Sequence, residues 1–204
     1  MQELLIATHN AGKLREYERL LAQLRLRLRS PADCGISVHV AEHGATFEEN
    51  ALEKAVAHAK AAGMLALADD SGLEVDALGG EPGVRSARYV AGSDADRVAA
   101  LLEALAGFPW EERTARFRCV LAIAAPEGAI GTFDGVCEGL IALEPAGEGG
   151  FGYDPVFYLP DLARTMAQLR PEEKNRISHR ARAVWAALPL LRRLAAEAAA
   201  GIGG

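Results

Sequence analysis

Two aspartates, Asp69 and Asp70, follow directly on the apolar run Met64-Leu65-Ala66-Leu67-Ala68 and precede Ser71-Gly72. Adjacent carboxylates repel, so the pair is stable only where a cation, hydrogen-bond donors or a proton compensates. An apolar run ended by polar residues and glycine reads as a buried strand. The pair would then sit at its C-terminal end, where open α/β sheets bind ligands. The alternative is an Asx pair in an ordinary turn. Glu42 stands in a polar turn with His43 and Gly44. Its carboxylate suits Mg²⁺, which takes one or two carboxylates together with phosphates and waters; taken alone it reads as a solvated loop residue.

Three further groups could touch a ligand. Thr8-His9-Asn10-Ala11-Gly12-Lys13 joins a strand to a helix, and a helix N-terminus offers unpaired N–H groups and a positive dipole end to phosphate. Lys13 adds a mobile cation. The glycines and the Lys-Ser/Thr pair of a Walker loop are missing, and a plain capped turn would look similar. Phe151-Gly152-Tyr153-Asp154-Pro155 follows the glycine-rich stretch 144–150. Two aromatics flanking a glycine can sandwich a flat ring, or simply return the chain to the core. Lys174, His179 and Arg180 would spread around one uninterrupted helix at about 100° per residue. A break between Asn175 and Ser178 is therefore expected, with Ser178 as N-cap and His179 and Arg180 in the first turn. Cations there oppose the helix dipole and leave donors for an anion.

The elements that position these groups follow from periodicity and punctuation. Residues 3–8 read as a buried strand, and Asn10-Ala11-Gly12 as a turn. A helix bears Leu14, Tyr17, Leu21 and Leu24 on one face. Residues 24–29 alternate Leu and Arg, the period of a strand. Thr46 and Glu49 form a capping box opening a helix that ends at Gly63. Residues 79–83 are a turn, and Ser93 with Asp96 opens another helix. Residues 114–125 form a strand, and 130–143 one or two more, with Gly131, Gly135 and Gly139 as bends or bulges. Residues 155–159 are a short strand, the remainder is helical, and Pro189 kinks or interrupts the last helix.

The chain has 204 residues, half of them hydrophobic, and a net charge of −6. That is enough for one well-buried domain, expected to span 1–204, and the acidic balance speaks against a nucleic-acid binder. No apolar run is long enough for a membrane span. Met1-Gln2-Glu3 carries no basic stretch, so no signal peptide is expected. Cys34, Cys119 and Cys137 form no C-x-x-C pair, which fits free thiols in a reducing, cytoplasmic setting.

Taken in order, Thr8-His9-Asn10 with Lys13, Thr46-Phe47-Glu48-Glu49-Asn50-Ala51 with Lys54, and Ala68-Asp69-Asp70-Ser71-Gly72-Leu73 form a distinctive pattern. It continues through Ala77-Leu78-Gly79-Gly80-Glu81-Pro82-Gly83, Ser86-Ala87-Arg88-Tyr89, Gly150-Phe151-Gly152-Tyr153-Asp154-Pro155 and Lys174 with Ser178-His179-Arg180. Over essentially its whole length the chain resembles the inosine triphosphate pyrophosphatases, which remove non-standard purine nucleotides. The resemblance implies an α/β fold, a mixed twisted sheet flanked by helices in two lobes with the active-site cleft between them. It implies Mg²⁺-assisted hydrolysis of ITP, dITP and XTP to the monophosphate and pyrophosphate, and a homodimer. Glu42 and Asp70 would hold the metal, and Asp70 would take the proton of the attacking water. A metal-bound carboxylate is a weaker base, so Asp69 is the alternative partner of the metal's water shell. Thr8 to Lys13 would hold the phosphates, and Ser71, Phe151, Gly152, Tyr153, Asp154, Lys174, His179 and Arg180 would complete substrate binding. Lys174, His179 and Arg180 would discriminate bases, since their donors suit the 6-keto oxygen of hypoxanthine and xanthine and not the adenine amine. His9 departs from the glycine that many relatives carry, and histidine is among the less penalised residues at positive φ. Two other readings stay open: a pyrophosphatase for modified pyrimidine nucleotides and a non-catalytic nucleotide-binding module.

Overall fold

The computed structural model describes residues 2–200; Met1 and 201–204 lie outside them, as does the last stretch of the expected C-terminal helix. A mixed seven-stranded open sheet runs in the order β2-β1-β3-β4-β5-β6-β7. The chain divides into two compact units, residues 1–70, 119–135 and 180–204 in the first and 71–118 and 136–179 in the second. Each has its own apolar core. The expected α/β class is borne out.

In the first unit, β1 (Gln2–Ile6) pairs in parallel with β2 (Leu26–Arg29) and with β3 (Ala66–Val75). Helix α1 (Ala11–Leu21) begins inside the expected turn. The cause is Asn10, whose side-chain oxygen accepts from the Gly12 and Lys13 N–H groups at 2.8 and 3.0 Å and caps the helix one residue earlier. Leu24 lies beyond the helix yet still packs on the core. Helix α2 (Phe47–Ala62) starts at Thr46, whose hydroxyl accepts from the Glu49 N–H, and ends at Gly63 with φ 64°. Glu49 reaches back to the Ala45 N–H rather than to that of Thr46, a shifted form of the expected box.

Helix α5 (His179–Ala200) continues through Pro189, so of the expected kink or interruption the interruption is not found. Pro189 lies on an exposed position, and so does Trp185, whose carbonyl loses its helical partner there. Water can take that carbonyl, so the helix is not forced to end. Leu4, Ile6, Tyr17, Leu21, Leu67, Leu121, Ile123, Val184 and Leu191 form the first core.

In the second unit, α3 (Asp94–Ala104) opens on the expected reciprocal box between Ser93 and Asp96. Leu73, Val75, Leu101, Leu105, Phe117, Tyr153 and Phe157 fill its core. Strand β4 spans Thr114–Ala125 as expected, and β5 is one strand, Gly128–Ile141. Gly139 serves close approach rather than a bend: a Cβ there would lie 2.5 Å from the Tyr158 carbonyl oxygen. After β6 (Phe157–Leu159) the chain turns at Ala163 (φ 50°) into β7 (Arg164–Thr165), a short antiparallel hairpin where helix was expected. Helix α4 (Pro171–Lys174) then stops, and α5 starts at His179, which gives the expected break. Trp110 stands edge-on to Tyr158 with ring centroids 5.1 Å apart.

Among the described residues, no helix is long and apolar enough to cross a membrane. All three cysteines are free thiols, Cys119 and Cys137 buried.

Candidate active site

The acidic pair is not at a strand end. Strand β3 continues through Asp69-Asp70-Ser71-Gly72-Leu73 to Val75. Successive side chains of a strand point to opposite faces, so the two carboxylates diverge and find separate partners. Asp69 meets Lys13 at 2.9 Å and Arg180 at 3.1 Å, and Arg180 also grips Glu16 at 2.5 Å. Asp70 accepts from the Asn50 amide at 2.8 Å and from Lys54 at 3.4 Å. These distant donors supply the compensation that lets the strand run on through two buried acids.

The two carboxyls consequently differ as acids. Burial alone would raise Asp69, but Lys13 and Arg180 beside it outweigh burial and hold it far below the usual carboxylate range. At Asp70 burial prevails over Lys54 and Asn50, and the carboxyl lies above its usual value. Asp69 is thus a fixed anion that orients Lys13. Asp70 is the carboxylate more ready to take a proton.

Lys54 also contacts Glu42, at 2.7 Å. Its ammonium therefore joins Glu42 and Asp70 at a single point. Burial would lower the Lys54 pKa, but Asp70, Asp69 and Glu42 overcome it and raise it. Two carboxylates gathered on one cation are a donor set that suits a hard divalent ion. Among the described residues no three His, Cys, Asp or Glu side chains gather as a metal cluster, so Glu42 and Asp70 can supply only part of a coordination shell.

The phosphate-loop residues lie in this same unit. Thr8 accepts from the Asn10 N–H at 3.1 Å, tightening the turn. Asn10 takes the Gly12 and Lys13 N–H groups that a phosphate was expected to find unpaired. Among the described non-glycine residues only Ala163 has positive φ, so His9 occupies ordinary backbone and needs no glycine-like conformation.

The second unit holds the aromatic group. Lys174 is buried against Asp154 at 2.5 Å and lies 4.9 Å from the Phe151 ring centroid. Asp154 also accepts from the Phe151 N–H at 2.9 Å, and Gly152 donates to Asp94 at 2.7 Å. Gly150, at φ 73°, crowds Asp154 so closely that any Cβ would clash with its carboxylate. Tyr153, expected to flank a flat ring with Phe151, packs inward. It belongs to the core, its hydroxyl donates to the Ser86 carbonyl at 3.0 Å, and burial pushes its pKa to about 12. Phe151, half-buried, is the aromatic left at the surface of this turn. His179 stacks on Phe117, centroids 4.7 Å apart and planes 20° apart. Ser71, half-buried, follows Asp70 in β3.

Arg180, expected among the base-reading donors, has carboxylate partners. It is 1% exposed, and both terminal nitrogens bond within the first unit, to Glu16 and Asp69. The carboxylates of Glu16 and Asp69 offset the Arg180 charge at the start of α5. Glu16, Asn50 and Lys54 had no expected role. Asn50 and Lys54 are four apart on α2, a spacing that puts both on one face, and that pattern was the available signal. Nothing local in the sequence ties Glu16 to Arg180.

Known proteins carry the same pattern. The sequence profile of the Ham1 family matches residues 4–189. A dITP/XTP pyrophosphatase of Geobacillus kaustophilus is 53% identical over 186 residues, 90% of this chain and 91% of that one. A dITP/XTP pyrophosphatase of Bacillus subtilis is 49% identical over 186 residues, 90% of this chain and 94% of that one. The solved Ham1 protein of Staphylococcus aureus superposes with a TM-score of 0.81 at 41% identity, covering 96% of this chain and all of that one. A HAM1 protein from Coxiella burnetii gives the same TM-score and identity over 98% and 99% of the two chains. With this agreement in sequence and fold over nearly its full length, the chain belongs to the Ham1 family.

Proposed function

We propose that the chain hydrolyses non-canonical purine nucleoside triphosphates, dITP and XTP among them, to the monophosphate and pyrophosphate, and that the whole chain serves this one activity. The observation that carries the mechanism is the meeting of Glu42 and Asp70 at Lys54, with Lys13 anchored on Asp69 at the other face of β3. Charge neutralisation and positioning dominate phosphoryl transfer, and these side chains are built for both.

Lys13 binds the phosphates, steered by Asp69, which Arg180 holds in turn. Glu42 and Asp70 would hold Mg²⁺, which when bound neutralises phosphate charge. Asp70 takes a proton from water as the water oxygen bonds to the α-phosphorus. The bond from that phosphorus to the bridging oxygen breaks, and pyrophosphate leaves with the electron pair. The raised Asp70 carboxyl supports Asp70 over Asp69 in the proton transfer. In the second unit Phe151 offers its ring face to the purine, and Lys174 and His179 offer donors to the 6-keto oxygen. A homodimer remains part of this reading.

Product analysis with dITP tests it. Pyrophosphate with dIMP supports cleavage at the α-phosphorus; orthophosphate with dIDP refutes it. Chelation by EDTA should abolish turnover, and added Mg²⁺ should restore it. Replacing His179 with alanine should reduce the preference for ITP over ATP, and an unchanged ratio removes His179 from base selection.

A further inference from the structure

Helix α2 presents Asn50, Lys54 and His58 at successive intervals of four, one stripe along its length. The first two serve Asp70. The third has no part in the mechanism above, yet it is 3% exposed. Its Nδ1 lies 2.8 Å from the Lys54 carbonyl oxygen. A carbonyl can only accept, so Nδ1 carries the proton and Nε2 a lone pair. Nε2 is buried and meets no hydrogen-bond donor. Burial keeps the imidazole below the usual histidine range, despite the Lys54 carbonyl, so that lone pair stays available.

The ring beside it is that of His9, exposed in the loop ahead of the Asn10 cap, with centroids 6.4 Å apart and planes tilted by 56°. Two imidazoles joined by one N–H···N bond stand about 5 Å apart between centroids. A small swing of the exposed ring closes the difference. The groups that act on the His58 ring are Lys54 on its own helix and His9 beside it.

We propose that His58 is a positioning residue for the triphosphate: its Nε2 accepts one N–H of His9 and so directs the other His9 N–H at a phosphate oxygen. The inference rests on the reading of the chain as a triphosphate hydrolase. It gives the buried acceptor its missing donor only when the loop is engaged, so the pair orders as substrate binds. His9 then acts as a second donor beside Lys13.

The test uses the full-length protein. His58→Asn keeps a donor for the Lys54 carbonyl and deletes the acceptor; His58→Gln places an amide oxygen near the Nε2 position. H58N should raise KM for dITP about tenfold, the loss of one charge-assisted hydrogen bond, with the effect in KM rather than kcat. H58Q should recover most of it. H9A should match H58N, and H9A/H58N should be no worse than H9A, because the residues act as a unit. Calorimetric binding of inorganic tripolyphosphate should follow the same order. An unchanged KM and tripolyphosphate affinity in H58N, or additive losses in the double variant, overturns the assignment. So does a loss in H58N that H58Q does not restore. Wild-type protein that binds tripolyphosphate but yields no pyrophosphate from dITP would defeat the proposed reaction while leaving the His58 test intact.

Discussion

The charged cluster of the first unit and the aromatic turn of the second both hold carboxylates against cations, but in different arrangements. Asp154 meets Lys174 beside the Phe151 ring. Asp69 meets Lys13 and Arg180, and Arg180 also reaches Glu16. Glu42 and Asp70 both reach the ammonium of Lys54. The first unit thus brings two carboxylates to one ammonium, a donor set that suits a hard cation, and the second sets an ion pair beside a ring face. The contrast also separates neighbours in sequence: cations hold the Asp69 carboxyl low, whereas burial keeps that of Asp70 raised.

That contrast can be broken in four ways. Asp70→Asn should lower kcat by about 10²–10⁴, the range for a lost general base. Its thermal midpoint should hold or rise, because the raised carboxyl is a strained anion; steady-state kinetics with a melting curve checks both. Asp69→Asn should do the reverse where stability is concerned. It strips one partner from buried Arg180 and from partly exposed Lys13, and breaking the buried pair costs about 3–5 kcal/mol, measurable by urea unfolding. Phe151→Leu should lose about 1–3 kcal/mol of base stacking, seen as a higher KM for dITP with little change in the urea midpoint.

The smallest effect concerns acid. A carboxyl whose folded pKa lies below its unfolded value stabilises the fold above that unfolded value, near pH 4, and the benefit fades as pH falls toward the folded pKa. Asp69 is such a group. Asp70, raised in the fold, works the other way and costs stability above the unfolded value. Unfolding free energy should therefore fall below about pH 4 in the wild type, and the fall should be shallower in D69N and no shallower in D70N. Identical slopes in the two variants would erase the distinction.

Local signals carried much of the fold into view. Thr46 with Gly63 and Ser93 with Asp96 bounded their helices because caps act within a few residues. Strand β4 was legible from its continuous apolar run. The end of β3 was not, because Lys13 and Arg180, which neutralise Asp69, are far away in sequence. The β6–β7 hairpin was missed because it turns at an alanine of positive φ, a position where sequence patterns lead one to look for glycine. In the candidate site, Asp70 and Lys13 stood out from carboxylate and loop chemistry, and Glu42 only through the family resemblance. The interior partners of Tyr153 and Arg180, such as Ser86 and Glu16, were not legible, because they lie far away in sequence.

Each unit contains one of the chain's two tryptophans, Trp110 edge-on to Tyr158 in the second and Trp185, 43% exposed, in the first. The protein thus has a separate fluorescent reporter in each half. With Trp110 replaced by phenylalanine, emission comes from Trp185 alone, and the converse variant isolates Trp110. Denaturation curves of the two, laid over one another, read out directly whether the halves melt as one cooperative body or in succession.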